Sequence, residues 1–371
     1  MGSYRPYIFF GSIPLALSFI LLFWVPPFEG SLLFVFLIIV NIFHRTCFTI
    51  VSVPYSSLTA RISDDSEERT KLTTARMLGA SFGTLSISAL GFPIINWFGS
   101  GEESLGFVYL GICSGLAAIL ILAITVKTVK ERNFDIEFSK LPSFSEVSKS
   151  IVNNYAFLIV FASTLTLITT SIMFNKNLIY YTKYALGLHE FQGLILGVSS
   201  ASAFLAIPIW AYFALKIGKR NSWLISMSLL VFSFLFFYLY PIKNLIELLI
   251  VLIALGIGNG ATGVLFWSML PDTIEYGEWK TGVRTESSLY GFMTFAQKGG
   301  IAISALILGM LLTNIGFIPN TVQSEKTLES LKSLMTFIPL AGVVLSFILV
   351  YFYPIDSKLH KKLIREINER S

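Results

Sequence analysis

Residues 271–300 read PDTIEYGEWKTGVRTESSLYGFMTFAQKGG, and this stretch carries the two features that decide the fold. The first half, opened by Pro271, is crowded with charged side chains and predicts a polar loop. The second half is an apolar helical run interrupted by a single cation, Lys298. A lysine is costly at bilayer depth, so an intramembrane lysine marks a functional site by default. The alternative is that Lys298 has no role in function and that its side chain snorkels to a membrane interface.

The composition around this stretch is that of a membrane protein. Hydrophobic residues make up 54% of the chain and charged residues 13%, with a mean hydropathy of +0.72. The sequence contains no H-E-x-x-H, G-x-S-x-G or Walker-type motif, so nothing in it predicts an enzyme. Cys47 and Cys113 both lie in apolar runs and are interpreted as packing residues rather than a disulfide or metal ligands. We expect no bound metal.

Ten apolar runs are long enough to cross the hydrocarbon core, which takes about 20 helical residues. The chain is therefore predicted to be an all-α membrane protein with ten transmembrane helices. The predicted spans lie at residues 7–25, 31–58, 77–97, 105–126, 155–174, 191–215, 223–240, 245–270, 286–317 and 334–353.

The cations predict the orientation, because lysines and arginines in short loops stay cytoplasmic. Alternate loops collect most of the 27 cations on one side, together with Arg5 and the basic tail at 358–370. The polar segments 59–76 and 271–285 are predicted to be acidic loops on that same side. Both termini are therefore expected in the cytoplasm, and the net charge of +5 is a topology signal that requires no nucleic acid. We expect a monomer in the lipid bilayer.

An internal repeat divides the chain. Tyr55-Ser56-x-Leu58-x-x-x-Ile62 and Trp267-Ser268-x-Leu270-x-x-x-Ile274 match at one constant offset, and each closes a predicted span before an acidic loop. Two halves related by a parallel repeat, with a substrate site at mid-membrane, are typical of the major facilitator architecture. The predicted organisation is an N-terminal bundle at 1–126, a cytoplasmic linker at 127–150, a six-helix bundle at 151–354 and a basic tail at 355–371.

Five short motifs stand out along the chain: Arg5-Pro6-Tyr7, Val53-Pro54-Tyr55, Glu68-Arg69-Thr70, the run from Asp272 to Arg284, and Lys298-Gly299-Gly300. Together they resemble the motifs of one transporter family, the glycoside–pentoside–hexuronide:cation symporters, also called the melibiose permease group. The resemblance implies a twelve-helix fold in a bacterial inner membrane. It also implies sugar uptake by alternating access, coupled to sodium ions or protons and without another cofactor.

The sequence departs from the family in two ways. In the family, the Arg-Pro-Tyr motif follows the second helix, so the resemblance implies that the first two helices are lacking and that 1–126 holds helices three to six. Ser52 stands where the family has an aspartate, and no carboxylate lies deep in a predicted span. Hydroxyls and carbonyls alone are weak cation ligands, which argues against sodium coupling. Two functions stay open: a secondary sugar transporter, uncoupled or inactive as it stands, and a non-transporting membrane protein or accessory subunit.

Five residues are candidates for substrate binding: Lys298, Arg76, Thr49, Arg45 and Ser52. By resemblance, Lys298 lies beside the sugar and cation sites, and Thr49 and Arg76 lie near the substrate. A guanidinium suits sugar hydroxyls or carboxylates. Arg45 could meet an anionic group such as a uronate, although pairing with a carboxylate is the favoured interpretation. Thr49 is one helical turn from Arg45, so the two share a face.

Five further residues are candidates for a gate that closes the cytoplasmic side through salt bridges. They are Asp272, Glu275, Glu278, Arg284 and Arg69. A merely solvated loop is the alternative. The glycines at 256, 258, 260 and 263 indicate close helix packing or a hinge. Trp267 and Tyr290 could stack on a sugar ring, but anchoring at the lipid interface is the commoner use of such residues.

Overall fold

The computed structural model describes residues 2–63, 65–99, 102–131, 144–319 and 321–370. Over these residues the chain is almost entirely helical, with one 3₁₀ turn at His189–Phe191. The α-helices are α1 (Arg5–Phe23), α2 (Gly30–Ile62), α3 (Ser66–Gly99), α4 (Glu103–Thr128), α5 (Phe144–Asn153), α6 (Tyr155–Tyr184), α7 (Gln192–Ile217), α8 (Lys219–Leu239), α9 (Leu245–Thr281), α10 (Glu286–Asn314), α11 (Glu325–Tyr351) and α12 (Ser357–Arg370).

The helices confirm the predicted fold class. Within the described residues, nine helices are long and apolar enough to cross a membrane: α1, α2, α4 and α6 to α11. The remaining predicted span, 77–97, lies inside α3, which is helical throughout but is not among these nine. Large apolar side chains such as Phe232, Leu239 and Ile246 are more than 70% exposed. Exposed apolar surface on this scale indicates contact with lipid.

Two predicted polar loops are mostly helical instead. The prediction of a loop over 271–285 was wrong for most of its length, because α9 passes through Pro271 and ends at Thr281. Gly282, at φ 72°, ends the helix, and its N–H donates to Glu278 O at 2.8 Å. The predicted loop at 59–76 was likewise too long, since α2 reaches Ile62 and α3 begins at Ser66. Tertiary ion pairs bury Arg69 in the second of these segments and Asp272 and Glu275 in the first, so these three charges are compatible with a continuing helix.

The chain forms two compact units. The first comprises Met1–Asp65 and Gly79–Leu141, and the second comprises Ser66–Leu78 and Pro142–Ser371. The division falls within α3, whose first thirteen residues belong to the second unit. Of the predicted linker at 127–150, residues 132–143 lie outside the described part of the chain.

In the first unit, α1 packs against α2 and α4. Ile8, Val51, Leu58 and Val126 form the buried apolar core of this packing. The carboxylate of Glu131 accepts hydrogen bonds from the backbone N–H groups of residues 3 and 5, at 2.7 and 2.9 Å. A carboxylate at a helix N-terminus satisfies donors that have no partner within the helix.

In the second unit, α9 packs against α7 and α8, while α6 packs against α10 and α11. The glycines of α9 allow α7 to come close. A Cβ atom on Gly260 would lie 2.5 Å from the carbonyl oxygen of Ala203, and one on Gly256 would lie 2.7 Å from that of Ser199. The glycine run is thus a packing surface, and Trp210 Nε1 reaches across it to Ile257 O at 2.7 Å.

The packing at Gly260 leads to a stability prediction. We expect Gly260→Ala to destabilise the protein by roughly 1–3 kcal/mol, because a backbone carbonyl on α7 blocks the new methyl group. Gly309→Ala on α10 is the matched control, since among the described residues no atom outside the backbone of its own helix lies within 4 Å of its Cβ position. That change should be neutral or slightly stabilising, by up to about 1 kcal/mol, through helix propensity. Thermal unfolding in detergent measures both variants, and equal melting temperatures would contradict the close approach of α7.

Candidate functional site

Five ionisable side chains from four helices meet in the second unit, and we call them the charge cluster. Asp272 and Glu275 lie on α9, Arg69 on α3, Lys219 on α8 and His360 on α12. The two carboxylates are three residues apart, so they share one face of α9. Every member except Lys219 is in the most buried class of residues, and the Lys219 side chain is only 10% exposed.

The carboxylates are each held by more than one cation. Glu275 pairs with Arg69 Nη2 and lies 2.6 Å from His360 Nε2 through its other oxygen. Asp272 lies 2.7 Å from Lys219 Nζ, 3.8 Å from Arg69 Nη1 and 3.6 Å from His360 Nε2. Lys219 also donates to the carbonyl of Ser268 at 2.7 Å. The cluster therefore ties the beginning of α3, the beginning of α8 and the C-terminal helix to the same two turns of α9.

His360 belongs to α12, outside the membrane-spanning helices. Burial alone would lower its pKa, but the carboxylates of Asp272 and Glu275 outweigh burial and raise the pKa above its ordinary value of 6.5. Lys219 opposes this effect weakly. A protonated His360 makes the cluster net positive by one charge, whereas a neutral His360 leaves two cations facing two carboxylates.

The ligand atoms of Asp272, Glu275 and His360 lie within 4.8 Å of one another, a spacing that could suit a metal ion. Arg69 and Lys219 already bind both carboxylates, however, and their charges would repel a cation. The donor set therefore fits an ion-pair network better than a metal centre.

Two more of the predicted gate residues form a separate ion-pair group. Arg284 Nη1 lies 2.7 Å from Glu278 Oε2, and Arg284 Nε lies 3.1 Å from Glu286 Oε2. Burial would lower the pKa of the Arg284 guanidinium, but Glu286 and Glu278 together raise it. This group spans the short connection from α9 to α10. The structure thus brings the five predicted gate residues together as two groups. The charge cluster also contains Lys219 from α8 and His360 from α12.

Arg76, a predicted substrate residue, lies against aromatic rings. Its guanidinium carbon is 4.4 Å from the centre of the Trp267 ring, and Trp267 stacks on Tyr290 with the ring centres 6.1 Å apart. Such a cation–π contact is worth about 0.5–2 kcal/mol. Trp267 is 8% exposed and Tyr290 is fully buried, so the described structure covers both rings instead of leaving them at a lipid interface.

The other predicted substrate residues lie on α2 and α10. Lys298 is exposed near the middle of α10, on the side away from the buried residues Met293 and Ala296. Arg45 and Thr49 are exposed on α2, and the Thr49 hydroxyl donates to the Arg45 carbonyl at 2.8 Å. Ser52 is half-buried. Arg45, Thr49 and Ser52 belong to the first unit, whereas Arg76 and Lys298 belong to the second.

A comparison with known protein families identifies the family of this chain. A family model described as "MFS/sugar transport protein" matches residues 1–357 of the chain. The chain belongs to this family. Its relatives and structural neighbours are membrane transporters.

Two relatives illustrate the range of this sugar transport family. The chain is 27% identical over 375 residues to a glucuronide carrier protein homolog of Escherichia coli K12, covering 100% of this chain and 81% of the relative. It is 28% identical over 376 residues to an isoprimeverose transporter of Lactiplantibacillus pentosus, covering 100% of this chain and 77% of the relative.

Solved structures agree on the fold. The E. coli fucose:proton symporter superimposes with a TM-score of 0.67 at 14% identity, covering 95% of this chain and 85% of that one. The proton:xylose symporter bound to 6-bromo-6-deoxy-D-glucose gives a TM-score of 0.61 at 13% identity, covering 94% and 80%. At these identities the likeness shows a shared major facilitator fold.

Two residues of the charge cluster, Lys219 and His360, were not predicted from the sequence. In the sequence, Lys219 is one of several cations in a basic turn. His360 lies in a basic tail, and only the charge of that tail was interpreted. The available signal was their placement on the predicted cytoplasmic side, the same side as Asp272 and Glu275. Nothing in the local sequence distinguishes them from their exposed neighbours, such as Lys358 and Lys361.

Proposed function

We propose that this chain is a secondary active transporter that moves sugars or glycosides across the membrane by alternating access, in symport with a cation. The observation that carries the proposal is the buried charge cluster, found in a chain whose family model describes sugar transport. Its relatives include a glucuronide carrier homolog and an isoprimeverose transporter, which favours a glycoside or uronide as the transported molecule.

The charge cluster suits a gate because its ions are buried but come from several helices. Burying an ion pair carries a desolvation penalty of several kcal/mol per ion, which close pairing must offset. When helices separate and water enters, hydration replaces the lost pairing, so the closed and open states can be similar in free energy. In this proposal Arg69, Asp272 and Glu275, with Glu278 and Arg284, close the passage on the side of both termini, which faces the cytoplasm.

The proposed substrate site comprises Lys298, Arg76, Arg45, Thr49 and Ser52. Cations and hydroxyls are suitable partners for sugar hydroxyls and for the carboxylate of a uronide. Arg76 is already oriented by its contact with Trp267. Lys298 supplies a charge at mid-helix, where a lysine requires a functional reason.

Counterflow into proteoliposomes tests transport separately from coupling. Vesicles containing the full chain are loaded with one unlabelled glucuronide, xyloside or hexose at a time, and entry of the same labelled sugar is followed. We expect transient accumulation of at least one of these sugars, and protein-free vesicles provide the blank. Absence of counterflow for the whole panel, with the protein shown to be inserted, would favour the non-transporting alternative.

Imposed gradients then test the symport. For a sugar that shows counterflow, we expect an inward sodium or proton gradient to drive accumulation above the external concentration. The two gradients are imposed one at a time and in both directions. Counterflow without accumulation under either gradient would indicate facilitated transport, and it would contradict the proposed coupling.

A further inference from the structure

The C-terminal helix α12 docks on α9 along one stripe of side chains. His360, Leu363 and Glu366 are spaced three residues apart and therefore lie near one another on the helix surface. His360 contacts Glu275 at 2.6 Å, Leu363 is fully buried, and Glu366 Oε2 accepts a hydrogen bond from Trp279 Nε1 at 2.6 Å. The stripe thus has a polar contact at each end and an apolar contact in the middle.

The beginning of α12 is held in place independently of this stripe. The Asp356 carboxylate accepts a hydrogen bond from the Leu359 N–H at 2.7 Å, which caps the helix. Tyr353 and Ile355, just before the helix, are both buried. Lys361, Lys362 and Arg365 are exposed on the other side of α12. His360, Leu363 and Glu366 therefore contribute contacts that attach the body of the helix.

We infer that α12 is a latch on the charge cluster, with His360 as the contact that makes the latch respond to pH on the side of the C-terminus. The inference rests on the proposed function, in which Asp272 and Glu275 release their partners during the transport cycle. A helix that supplies one of those partners must loosen before both carboxylates are free. Attachment of α12 then favours the closed form of the gate.

The charged groups around His360 set the direction of the response. Asp272 and Glu275 face it from α9, Lys219 from α8 and Arg69 from α3. The pKa of His360 is raised in the docked state, so protonation strengthens docking. This contribution is fully present below the ordinary pKa of about 6.5 and is lost as the pH rises through the higher, docked value. Acidification should therefore close the latch, and alkaline pH should loosen it.

Cysteine accessibility tests the latch in the full chain without requiring transport. Cys47 and Cys113 are replaced by serine, and Leu363→Cys reports exposure of the buried stripe to a maleimide. Lys361→Cys, on the exposed side of the same helix, is the reference for the intrinsic pH dependence of thiol reactivity. We expect the ratio of the rate at 363 to the rate at 361 to rise about fivefold between pH 6 and pH 8.5, as His360 loses its proton.

Variants assign this rise to His360. With His360→Gln the ratio should be independent of pH, and with His360→Lys it should be both low and independent of pH, because the positive charge persists. A flat ratio in the chain that retains His360, or an unchanged slope in either variant, would overturn the inference. The lysine variant also serves as the second test if the glutamine variant does not fold.

A second pair of variants tests the other end of the stripe. Glu366→Gln should raise the ratio at every pH while leaving the slope in place, because it weakens the contact with Trp279 but keeps His360. Glu369→Gln is the matched control, since Glu369 is exposed and pairs with Arg365 of the same helix, and it should change nothing. If Glu366→Gln behaved like the control, α12 would not be held along this stripe.

The two proposals can fail separately. Absence of counterflow for every sugar would contradict the transport proposal but would not affect the accessibility result. Counterflow together with a pH-independent accessibility ratio would remove the latch alone.

Discussion

Replacing Arg69 with methionine is expected to destabilise the protein by roughly 3–5 kcal/mol, the cost of removing one partner from a buried ion pair. Arg69 is fully buried and pairs with Glu275, while Asp272 lies 3.8 Å away. Methionine has a similar length and can fill the space, so the loss reports the charge more than the volume. Thermal unfolding of the full chain in detergent, followed by circular dichroism, measures the effect.

Two further variants show whether the charge is responsible. Arg365→Met, on the exposed side of α12, removes an arginine that pairs with a glutamate in solvent and should leave the melting temperature unchanged. Adding Glu275→Gln to Arg69→Met should recover part of the lost stability, because it removes the buried charge whose guanidinium partner is gone. If Arg69→Met melted like the unmodified protein, the charge cluster would not stabilise the second unit.

The second large effect is expected at Lys298. Lys298→Met should lower the initial rate of sugar counterflow about 10- to 100-fold, the equivalent of one lost hydrogen bond to a charged group, about 1.5–3 kcal/mol. The physical reason is that a lysine on the exposed face near the middle of α10 supplies a charge that no other residue of this helix turn provides. The amount of folded protein in the vesicles is measured in parallel.

Lys326→Met is the matched control for Lys298. Lys326 is also an exposed lysine, but it lies in the first turn of α11, where an ammonium group reaches water easily. Its replacement should leave counterflow unchanged. Counterflow at the unmodified rate in Lys298→Met, with a gain in stability, would show that Lys298 is a snorkelling side chain outside the substrate site.

The sequence predicted the helices well but misplaced several of their ends, among them those of α2 and α9. Hydropathy over about 20 residues is a local property, so the spans could be read without knowing their neighbours. The end of α9 could not, because a charged turn stays helical when distant residues neutralise it. At α9 the decisive residues are Arg69 and Lys219, separated along the chain from Asp272 by 203 and 53 positions.

The candidate site, like the helices, could be predicted from the sequence only in part. The internal repeat, with its two acidic loops ending at Arg69-Thr70 and Arg284-Thr285, drew attention to the gate residues, and the structure brings Arg69, Asp272 and Glu275 into contact. Glu278 and Arg284 instead form their own group with Glu286. Sequence reasoning gave His360 no role, because one histidine in a basic tail has no periodicity or spacing that indicates a partner.

The sequence by itself determined that this protein is a helical membrane protein of major facilitator type, because apolar length, cation distribution and loop motifs are all written along the chain. Only the tertiary structure decided which charges neutralise one another. Burial turns Asp272 and Glu275 from loop residues into the centre of an ion-pair network, and it gives His360 a partner. Electrostatic pairing depends on distance in space and on exclusion of water, and neither quantity is set by position in the sequence.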